Sequence, residues 1–254
     1  MTLTVSTVAD WRAIRDTIAA SGASLGFVPT MGALHAGHTS LVARSLAENA
    51  KTVVSVFVNP AQFNDPDDLQ KYPRTLDTDL AILRDAGVDY VFVPDRDTVY
   101  PDDYRYRLSA SDVSTRLCGA SRPGHFDGVL TVVMRLFNIV RPQRAYFGEK
   151  DYQQYRLIAD MADAFFMDID VRSCPIVRDP DGVALSSRNT LLSPEGRASA
   201  AEFAAILKGG DSAEGVRSQL ASRGIEVDYV EDWAGRRLAA VVIDGVRLID
   251  NALP

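Results

Sequence analysis

The sequence predicts an α/β fold, in which a parallel sheet covered by helices is followed by a smaller α+β part. Residues 25–28 and 51–58 are nearly continuous apolar runs, which are typical of strands buried on both faces of a parallel sheet. Segments with helical spacing of apolar residues alternate with these runs, as in βαβ units. From about residue 176 the alternation stops, and short helical patterns precede three short strands. We therefore expect domains at residues 1–176 and 177–254.

Local patterns along the chain predict the individual elements. Thr7 and Asp10 have the spacing of a helix capping box, and Trp11 and Ile18 follow on one helix face. After the strand at 25–28, a helix is expected from residue 39. Further strands are expected at 51–58, 90–93, 144–147 and 169–171, helices at 76–83 and 152–165, and an amphipathic helix at 129–140. The remaining features are a loop-rich segment at 94–124 and a tight turn at 178–182.

The composition of the 254 residues, 46% hydrophobic and 24% charged, is that of an ordinary soluble globular protein. A net charge of −7 argues against non-specific nucleic-acid binding, which depends on Lys and Arg neutralising phosphates. The N-terminal residues lack a signal-peptide pattern, and no apolar run reaches the ~18 residues of a membrane helix. The cysteines, Cys118 and Cys174, are far apart and expected to be reduced. We expect a cytoplasmic protein that binds neither nucleic acid nor membranes.

The strongest functional signal is the turn at residues 31–38. It connects an apolar strand to a helix and contains Gly32, Gly37, His35 and His38. Glycine permits close backbone approach or a positive φ, and outward-facing N–H groups at a helix N-terminus favour an anion. The two histidines are three residues apart and therefore share one helix face. The pattern predicts a phosphate-binding loop.

Two further segments carry cations and hydroxyls suited to phosphate. Lys150 lies in a strand-glycine-helix connection, where its ammonium group can point at phosphate oxygens. Ser186, Ser187 and Arg188 place two hydroxyls and a guanidinium in sequence, as in a phosphate clamp. The structural alternatives are a solvated surface lysine and a helix cap followed by an exposed arginine.

Neutral and acidic residues suggest additional contacts. Gln62 and Gln154 lie in the loops expected to flank the site, and glutamine can hold a carboxylate without neutralising its charge. A His-x-x-His pair could also supply two zinc ligands, although no HExxH pattern or intervening carboxylate accompanies it. Three acidic residues are predicted on the solvated face of one helix, namely Asp77, Asp79 and Asp85. Of these, Asp79 is also a candidate metal ligand near phosphates.

Taken together, the motifs resemble those of the pantoate–β-alanine ligase family. They occur in the family's order across nearly the whole chain, and the ordered set is far more specific than any single motif. The matching stretches are Pro29-Thr30-Met31-Gly32-Ala33-Leu34-His35-Ala36-Gly37-His38, Phe57-Val58-Asn59-Pro60-Ala61-Gln62-Phe63, Tyr72-Pro73-Arg74-Thr75, Ser121-Arg122-Pro123-Gly124-His125-Phe126, Gly148-Glu149-Lys150-Asp151-Tyr152-Gln153-Gln154, Ser186-Ser187-Arg188-Asn189 and Arg247-Leu248-Ile249-Asp250-Asn251.

The resemblance implies a Rossmann-like parallel sheet of the nucleotidyltransferase type, a small C-terminal α+β lid domain that closes over ATP, and a homodimer. It implies a ligase reaction in two steps. ATP and (R)-pantoate give pantoyl adenylate and pyrophosphate, and β-alanine then displaces AMP to form pantothenate. Mg²⁺ would accompany the ATP.

The same resemblance implies roles for individual residues. The implied ATP contacts are Met31, Gly32, Ala33, Leu34, His35, Ala36, Gly37, His38, Gly148, Glu149, Lys150, Asp151, Val177, Leu185, Ser186, Ser187 and Arg188. Within that set the implied catalytic residues are His38 (as proton donor), His35, Lys150 and Arg188. The implied substrate contacts are Gln62, Gln154, Asn59, Tyr72 and His125, and the candidate metal ligand is Asp79.

The chain departs from the family pattern in length, and two other classes of protein share some of its features. It looks short for the family, with the deficit after Pro194, which bears on the shape of the lid.

A fragment of a class I aminoacyl-tRNA synthetase also uses histidine-glycine and serine-rich phosphate signatures, but the acidic charge, the lack of an anticodon-binding region and the two glutamines argue against it. A non-catalytic nucleotide-binding module would bind ATP without forming pyrophosphate, and the many polar groups expected at one site argue against that.

Overall fold

The computed structural model describes residues 2–64 and 66–254, and these residues form two compact units. The first unit contains the chain up to Gly148 and then Gln153–Cys174. The second contains Glu149–Tyr152 and Pro175–Pro254. The chain therefore leaves the first unit after Gly148 for one short turn and re-enters it at Gln153, which the sequence pattern does not indicate.

Six parallel strands form one sheet within the described part of the first unit, in the order β1-β4-β3-β2-β5-β6. The strands are β1 (Leu3–Val5), β2 (Leu25–Thr30), β3 (Lys51–Val56), β4 (Tyr90–Phe92), β5 (Arg144–Gly148) and β6 (Asp170–Cys174). β2 to β6 match predicted strands, whereas β1 has only three residues and was not predicted. The predicted α/β fold class is confirmed.

Helices connect the parallel strands. They are α1 (Val8–Ala20), α2 (Ala36–Glu48), α3 (Pro66–Lys71), α4 (Leu76–Asp85), α5 (Arg96–Val99), α6 (Cys118–Ser121), α7 (His125–Val140) and α8 (Tyr152–Ala164). Thr7 caps α1 as predicted, and its side chain accepts the N–H of Asp10. α2 begins three residues earlier than residue 39, because His35 acts as its N-cap. α7 is amphipathic as predicted: most of its residues are buried, and Asp127, Met134 and Asn138, which are not, lie on one face of the helix.

The second unit contains two helices followed by an antiparallel sheet of three strands in the order β7-β8-β9, all of them within the described residues. These elements are α9 (Pro194–Gly209), α10 (Ala213–Ser222), β7 (Glu226–Trp233), β8 (Arg236–Ile243) and β9 (Val246–Ala252). Buried side chains such as Phe203, Leu207 and Leu220 join the helices to the sheet. The predicted order of helices and strands is confirmed, and so is the tight turn, where Arg178 pairs with Ala184.

The strand order places the candidate functional segments at one edge of the parallel sheet. β3, β2 and β5 are neighbours, and the turn after β2, the turn after β3 and the start of α8 all follow the carboxyl ends of these strands. The chain runs from β2 to β3 on one side, while β5 lies on the other side of β2. Ligands in open α/β sheets bind at such a switch point. Among the described residues, no helix combines the length and the apolarity needed to cross a membrane.

Candidate functional site

The turn after β2 depends on a glycine with a positive φ. Gly32 has a φ of +82°, and a Cβ atom placed there would lie 2.9 Å from Oδ2 of Asp79. The hydroxyl of Thr30 accepts the N–H of Gly32 at 3.2 Å and donates to the carbonyl of Ser55 at 2.7 Å. Position 32 thus combines a backbone conformation that disfavours side chains with a close approach that excludes them.

Asp79, on the first turn of α4, is the anchor of this turn. Its carboxylate accepts the N–H of Ala33 at 3.0 Å and that of Leu34 at 2.8 Å, and the Thr75 hydroxyl lies 3.2 Å away. Asp79 is buried, so the prediction that it lies on a solvated helix face was wrong, whereas Asp77 is exposed as predicted. The N–H groups of residues 32–34 therefore point to partners inside the protein, and the expectation that they face an anion was also wrong.

The side chains of His35 and His38, rather than the N–H groups of residues 32–34, are the candidates for binding phosphate. Nδ1 of His35 accepts the N–H of Gly37 at 3.1 Å, and Nδ1 of His38 accepts the N–H of His35 at 3.3 Å. The ring centroids are 4.1 Å apart. Because Nδ1 is an acceptor in both rings, the neutral form of each imidazole carries its proton on Nε2. The backbone of the motif thus fixes two Nε2–H donors side by side at the N-terminus of α2, where the helix dipole favours negative charge.

Gln62 lies against the same turn. Its Nε2 atom donates to Sδ of Met31 at 3.1 Å, and its Oε1 atom accepts from Nδ2 of Asn59 at 3.0 Å. Asn59 also receives the Tyr100 hydroxyl at 2.6 Å and donates to the carbonyl of Gly128 at 3.2 Å. Burial raises the pKa of Tyr100, which keeps that hydroxyl protonated and donating. The predicted ATP turn and the predicted substrate amide are therefore brought together within the first unit.

Asn59 itself cannot serve as a direct substrate contact without losing these bonds. It is 1% exposed, and both its oxygen and its nitrogen have partners in the protein. His125 is in a similar position. Nδ1 of His125 donates to the carbonyl of Gln62 at 2.8 Å, and Nε2 accepts from Arg122 at 3.2 Å. Both residues position Gln62, and their role as direct substrate contacts stays a prediction.

The start of α8 contains two adjacent glutamines with different environments. Gln153 is buried, accepts the N–H of Cys118 at 3.1 Å, and donates to the carbonyls of Val113 and Arg116. Within the described part of the chain the side chain of Gln154 has no hydrogen-bond partner, so its amide can bind a ligand. The buried role of Gln153 was missed, since a glutamine beside a candidate glutamine gives no signal of its own in the sequence. Tyr72, also a predicted substrate contact, packs edge-on against Phe63 with centroids 5.6 Å apart.

The second unit contains the lysine turn. Glu149–Asp151 is a short 3₁₀ helix, and Nζ of Lys150 lies 3.8 Å from Oδ2 of Asp151. The Lys150 side chain is 21% exposed, so it is neither the freely solvated lysine of the structural alternative nor a buried one. The end of β9 packs against this turn, and Asn251 bonds to the carbonyls of Glu149 and Lys150.

The predicted phosphate clamp lies in the same unit. Ser186 caps a 3₁₀ helix at Ser187–Leu191, and its hydroxyl accepts the N–H of Arg188 at 3.3 Å. The N–H of Leu185 donates to the carbonyl of Val177 at 3.0 Å, which joins two more of the predicted ATP contacts. β9 packs against this short helix as well as against the lysine turn. The second unit therefore brings the lysine turn and the serine-arginine segment to one strand.

The described residues do not form a metal centre. Across residues 2–64 and 66–254, no three His, Cys, Asp or Glu side chains cluster in a way that could hold an ion. Asp79 already accepts hydrogen bonds from two backbone N–H groups and a hydroxyl, so its donor set does not fit the predicted magnesium ligand. In nucleotide sites magnesium is commonly coordinated by phosphate oxygens and water, and this binding needs no dedicated set of protein ligands.

The parallel sheet, its switch point and the histidine turn define an α/β enzyme with a nucleotidyltransferase-like fold. The sequence model described as pantoate-beta-alanine ligase matches residues 3–253. A pantothenate synthetase of Legionella pneumophila strain Corby is 51% identical over 244 residues, which are 96% of this chain and 96% of the relative. A pantothenate synthetase of Bdellovibrio bacteriovorus is 54% identical over 229 residues, covering 90% of this chain and 91% of the relative.

Solved structures agree with these relatives. The pantoate-beta-alanine ligase of Francisella tularensis, solved with beta-gamma ATP and beta-alanine, has a TM-score of 0.93 at 39% identity and covers 100% of this chain and 98% of its own. Pantothenate synthetase from Thermus thermophilus has a TM-score of 0.90 at 41% identity, with 99% of both chains covered. This chain therefore belongs to the pantoate–β-alanine ligase family, and it is an ATP-dependent ligase that forms a C–N bond.

The comparisons also correct the expectation about length. Since the aligned residues make up 96% of this chain and 96% of the Legionella relative, the chain is not shortened relative to that protein. Family membership also settles the choice between the enzyme and the two alternative classes in favour of the ligase.

Proposed function

We propose that this chain condenses (R)-pantoate with β-alanine through a pantoyl-adenylate intermediate, releasing pyrophosphate and AMP. The observation that carries the proposal is the contact between Gln62 and Met31, because it places a neutral amide beside the turn that holds His35 and His38. Family membership supports the choice of reaction, and the Francisella relative was solved with beta-gamma ATP and beta-alanine.

In the first step, a pantoate carboxylate oxygen attacks the α-phosphorus of ATP, and the bond to the pyrophosphate oxygen breaks. The protein positions the reacting groups and stabilises the negative charge that spreads over the phosphates. The Nε2–H groups of His35 and His38 are suited to that task because their tautomer is set before any ligand binds. His38 is the proposed proton donor of the pair.

The carboxylate must remain nucleophilic while it is held. Gln62 and Gln154 are amides and therefore offer N–H donors without the cation that would withdraw electron density from the attacking oxygen. Asn59 donates a hydrogen bond to the side chain of Gln62, and His125 donates one to the backbone carbonyl of Gln62. Gln154 has its amide available, which supports its assignment to pantoate.

In the second step, the free amine of β-alanine attacks the acyl carbon of the adenylate, and the bond to the AMP oxygen breaks. The attacking nitrogen loses a proton, and AMP leaves as the phosphate monoester. Exclusion of water protects the acyl adenylate from hydrolysis during this interval. Gln62 is also the proposed neighbour of β-alanine.

The residues of the second unit are included in the proposal because of the family resemblance and because their side chains are suited to binding phosphate. Lys150 and Arg188 carry cations suited to phosphate oxygens, and Ser186 and Ser187 carry hydroxyls. Magnesium bound to the phosphates of ATP would share this charge stabilisation. A homodimer is also part of the proposal, and sedimentation of the purified chain measures it.

The test is a single-turnover experiment with ATP and pantoate at enzyme concentrations above those of the substrates. We expect pyrophosphate to be released without β-alanine, and AMP and pantothenate to appear only when β-alanine is added. Pyrophosphate release that needs β-alanine from the start would contradict the adenylate intermediate. Unchanged release when pantoate is replaced by an amino acid would contradict the substrate.

A further inference from the structure

The motif at residues 247–251 forms most of β9, and the proposed reaction gives it no role. Two of its polar residues are buried, with Asp250 5% exposed and Asn251 1% exposed. Buried polar side chains are costly unless their hydrogen bonds are satisfied, so the partners of these two residues show what the strand holds.

Asn251 binds the backbone of the lysine turn. Its Nδ2 atom donates to the carbonyl of Glu149 at 2.7 Å and to that of Lys150 at 3.2 Å. Its Oδ1 atom accepts from a guanidinium nitrogen of Arg236 at 2.9 Å. The orientation of the amide is forced, because two carbonyls require a donor and a guanidinium requires an acceptor. Asn251 therefore fixes the two peptide groups that flank the Cα atom of Lys150.

Arg236 adds a second attachment to the same turn. Its other terminal nitrogen donates to Oε2 of Glu149 at 2.6 Å, and the ion pair is largely shielded, with side chains 17% and 18% exposed. The guanidinium lies over the ring of Tyr152, 4.7 Å from the centroid. Tyr152 in turn packs edge-on against Trp233. The turn is thus bound at Glu149, at Lys150 and at Tyr152 by residues of the antiparallel sheet.

Asp250 extends this support to the segment that bears Ser186. Its two oxygens accept a bidentate pair of bonds from Arg178 at 2.6 and 2.9 Å, and Oδ1 also accepts the N–H of Asn251 at 2.7 Å. Arg178 pairs with Ala184, two residues before Ser186. β9 therefore connects the base of the lysine turn with the base of the serine-arginine segment.

We propose that Asn251 and Arg236 are positioning residues that set the place of the Lys150 ammonium group for adenylate formation. The inference rests on the proposed role of Lys150 in binding phosphate. A lysine has a long flexible side chain, and fixing its backbone confines its charge without neutralising it. Asn251 and Arg236 do this while making no bond to the ammonium group itself.

The experiment is a double-mutant cycle on pantoate-dependent pyrophosphate release by the full chain. Asn251→Asp keeps the size of the side chain but replaces the donor to both carbonyls by an oxygen. We expect kcat/KM to fall about 10-fold or more, as small misplacements of a charge-stabilising group do. In the Lys150→Ala background the same change should alter the rate less than about twofold, because residues that act as one unit are strongly non-additive.

Asp228→Asn is the matched control. Asp228, on β7, pairs with Arg247 of β9 but makes no bond to the lysine turn, and the substitution is the reverse exchange, of a carboxylate for an amide. It should leave the rate unchanged in both backgrounds. Arg236→Gln, which removes the bond to Glu149 at a partly exposed position, gives the same comparison if Asn251→Asp does not fold.

The outcomes separate this inference from the function on which it rests. If Lys150→Ala itself leaves the rate unaltered, the proposed role of Lys150 fails and the positioning role fails with it. If Lys150→Ala is strongly impaired but Asn251→Asp and Arg236→Gln are silent, or if their losses multiply with that of Lys150→Ala, the positioning role alone is overturned.

Discussion

The histidine turn of the first unit and the lysine turn of the second are held in different ways. The orientation of His35 and His38 is fixed by two bonds to N–H groups inside the motif, and Asp79 anchors the preceding backbone. The turn at Lys150 is fixed by Asn251, about a hundred residues later in the chain. A short motif can thus encode its own donor geometry, whereas a single flexible cation depends on a distant part of the fold.

The largest expected effects compare the two turns directly. His38→Ala and Lys150→Ala should each lower the rate of pantoate-dependent pyrophosphate release by about 10²-fold or more, because each removes a group that stabilises phosphate charge. Circular dichroism and urea unfolding should show native folding in both. Lys208→Ala, an exposed lysine of the second unit, is the control and should retain the parental rate. Near-parental turnover in either variant would contradict the role assigned to that residue.

The next effect tests the anchor of the histidine turn. Asp79→Asn should raise the KM for ATP and lower the free energy of unfolding by about 1–3 kcal/mol, because an amide cannot accept from both Ala33 and Leu34. Asp77→Asn, on the exposed face of the same helix, is the matched control and should change neither quantity. Steady-state kinetics and urea titration measure the two effects. If the two variants behave alike, Asp79 does not hold the turn.

A smaller effect separates substrate binding from phosphate binding. Gln154→Ala should raise the KM for pantoate about 10-fold, the value of one hydrogen bond to a charged group, and leave the KM for ATP unchanged. Gln219→Ala, an exposed glutamine of the second unit, serves as the control. An unaltered KM for pantoate in Gln154→Ala would remove this residue from the pantoate site.

The smallest effect concerns the C-terminal end of α2, the helix that His35 begins. Hydrogen bonds from Arg44, Tyr146 and Arg172 lower the pKa of Glu48 to about 2 from its usual 4.5. A depressed carboxyl pKa stabilises the fold above pH 4.5, and this contribution is lost as the pH falls towards 2. Glu48→Gln should therefore be less stable than the parent at pH 7, and the difference should shrink as the pH falls from 4.5 to about 3 and disappear only near pH 2. A constant difference across urea titrations at about pH 7, 4.5 and 3 would show that ionisation of Glu48 is not its cause.

The sequence predicts the local structure of the motifs well, because that structure depends on a few neighbouring residues. The apolar runs at β2 and β3, the cap at Thr7 and the glycine at position 32 each follow from a few neighbouring residues. The same reasoning placed the N–H groups of the turn towards a ligand, and this failed because Asp79, 45 residues later than Leu34, accepts them. It also gave no sign that Asn59 and His125 bond to Gln62, because a polar residue in a motif does not reveal its partners within the protein.

Long-range support is what the sequence could not predict. No residue near Lys150 in the sequence indicates that its turn packs against the C-terminal strand. The motif at residues 247–251 likewise does not indicate which groups bond to the buried amide of Asn251. The burial of α7 on most of its surface likewise depends on neighbours that a helical periodicity does not identify. These features require the fold, since each is a contact between residues far apart in the chain.

The most direct measurement of the proposed reaction is isotope exchange between labelled pyrophosphate and ATP without β-alanine. Reversible formation of pantoyl adenylate predicts exchange that requires pantoate, is lost in His38→Ala and does not need β-alanine. Exchange that proceeds without pantoate, or that appears only when β-alanine is present, would contradict the proposal that the carboxylate is adenylated before the amine attacks.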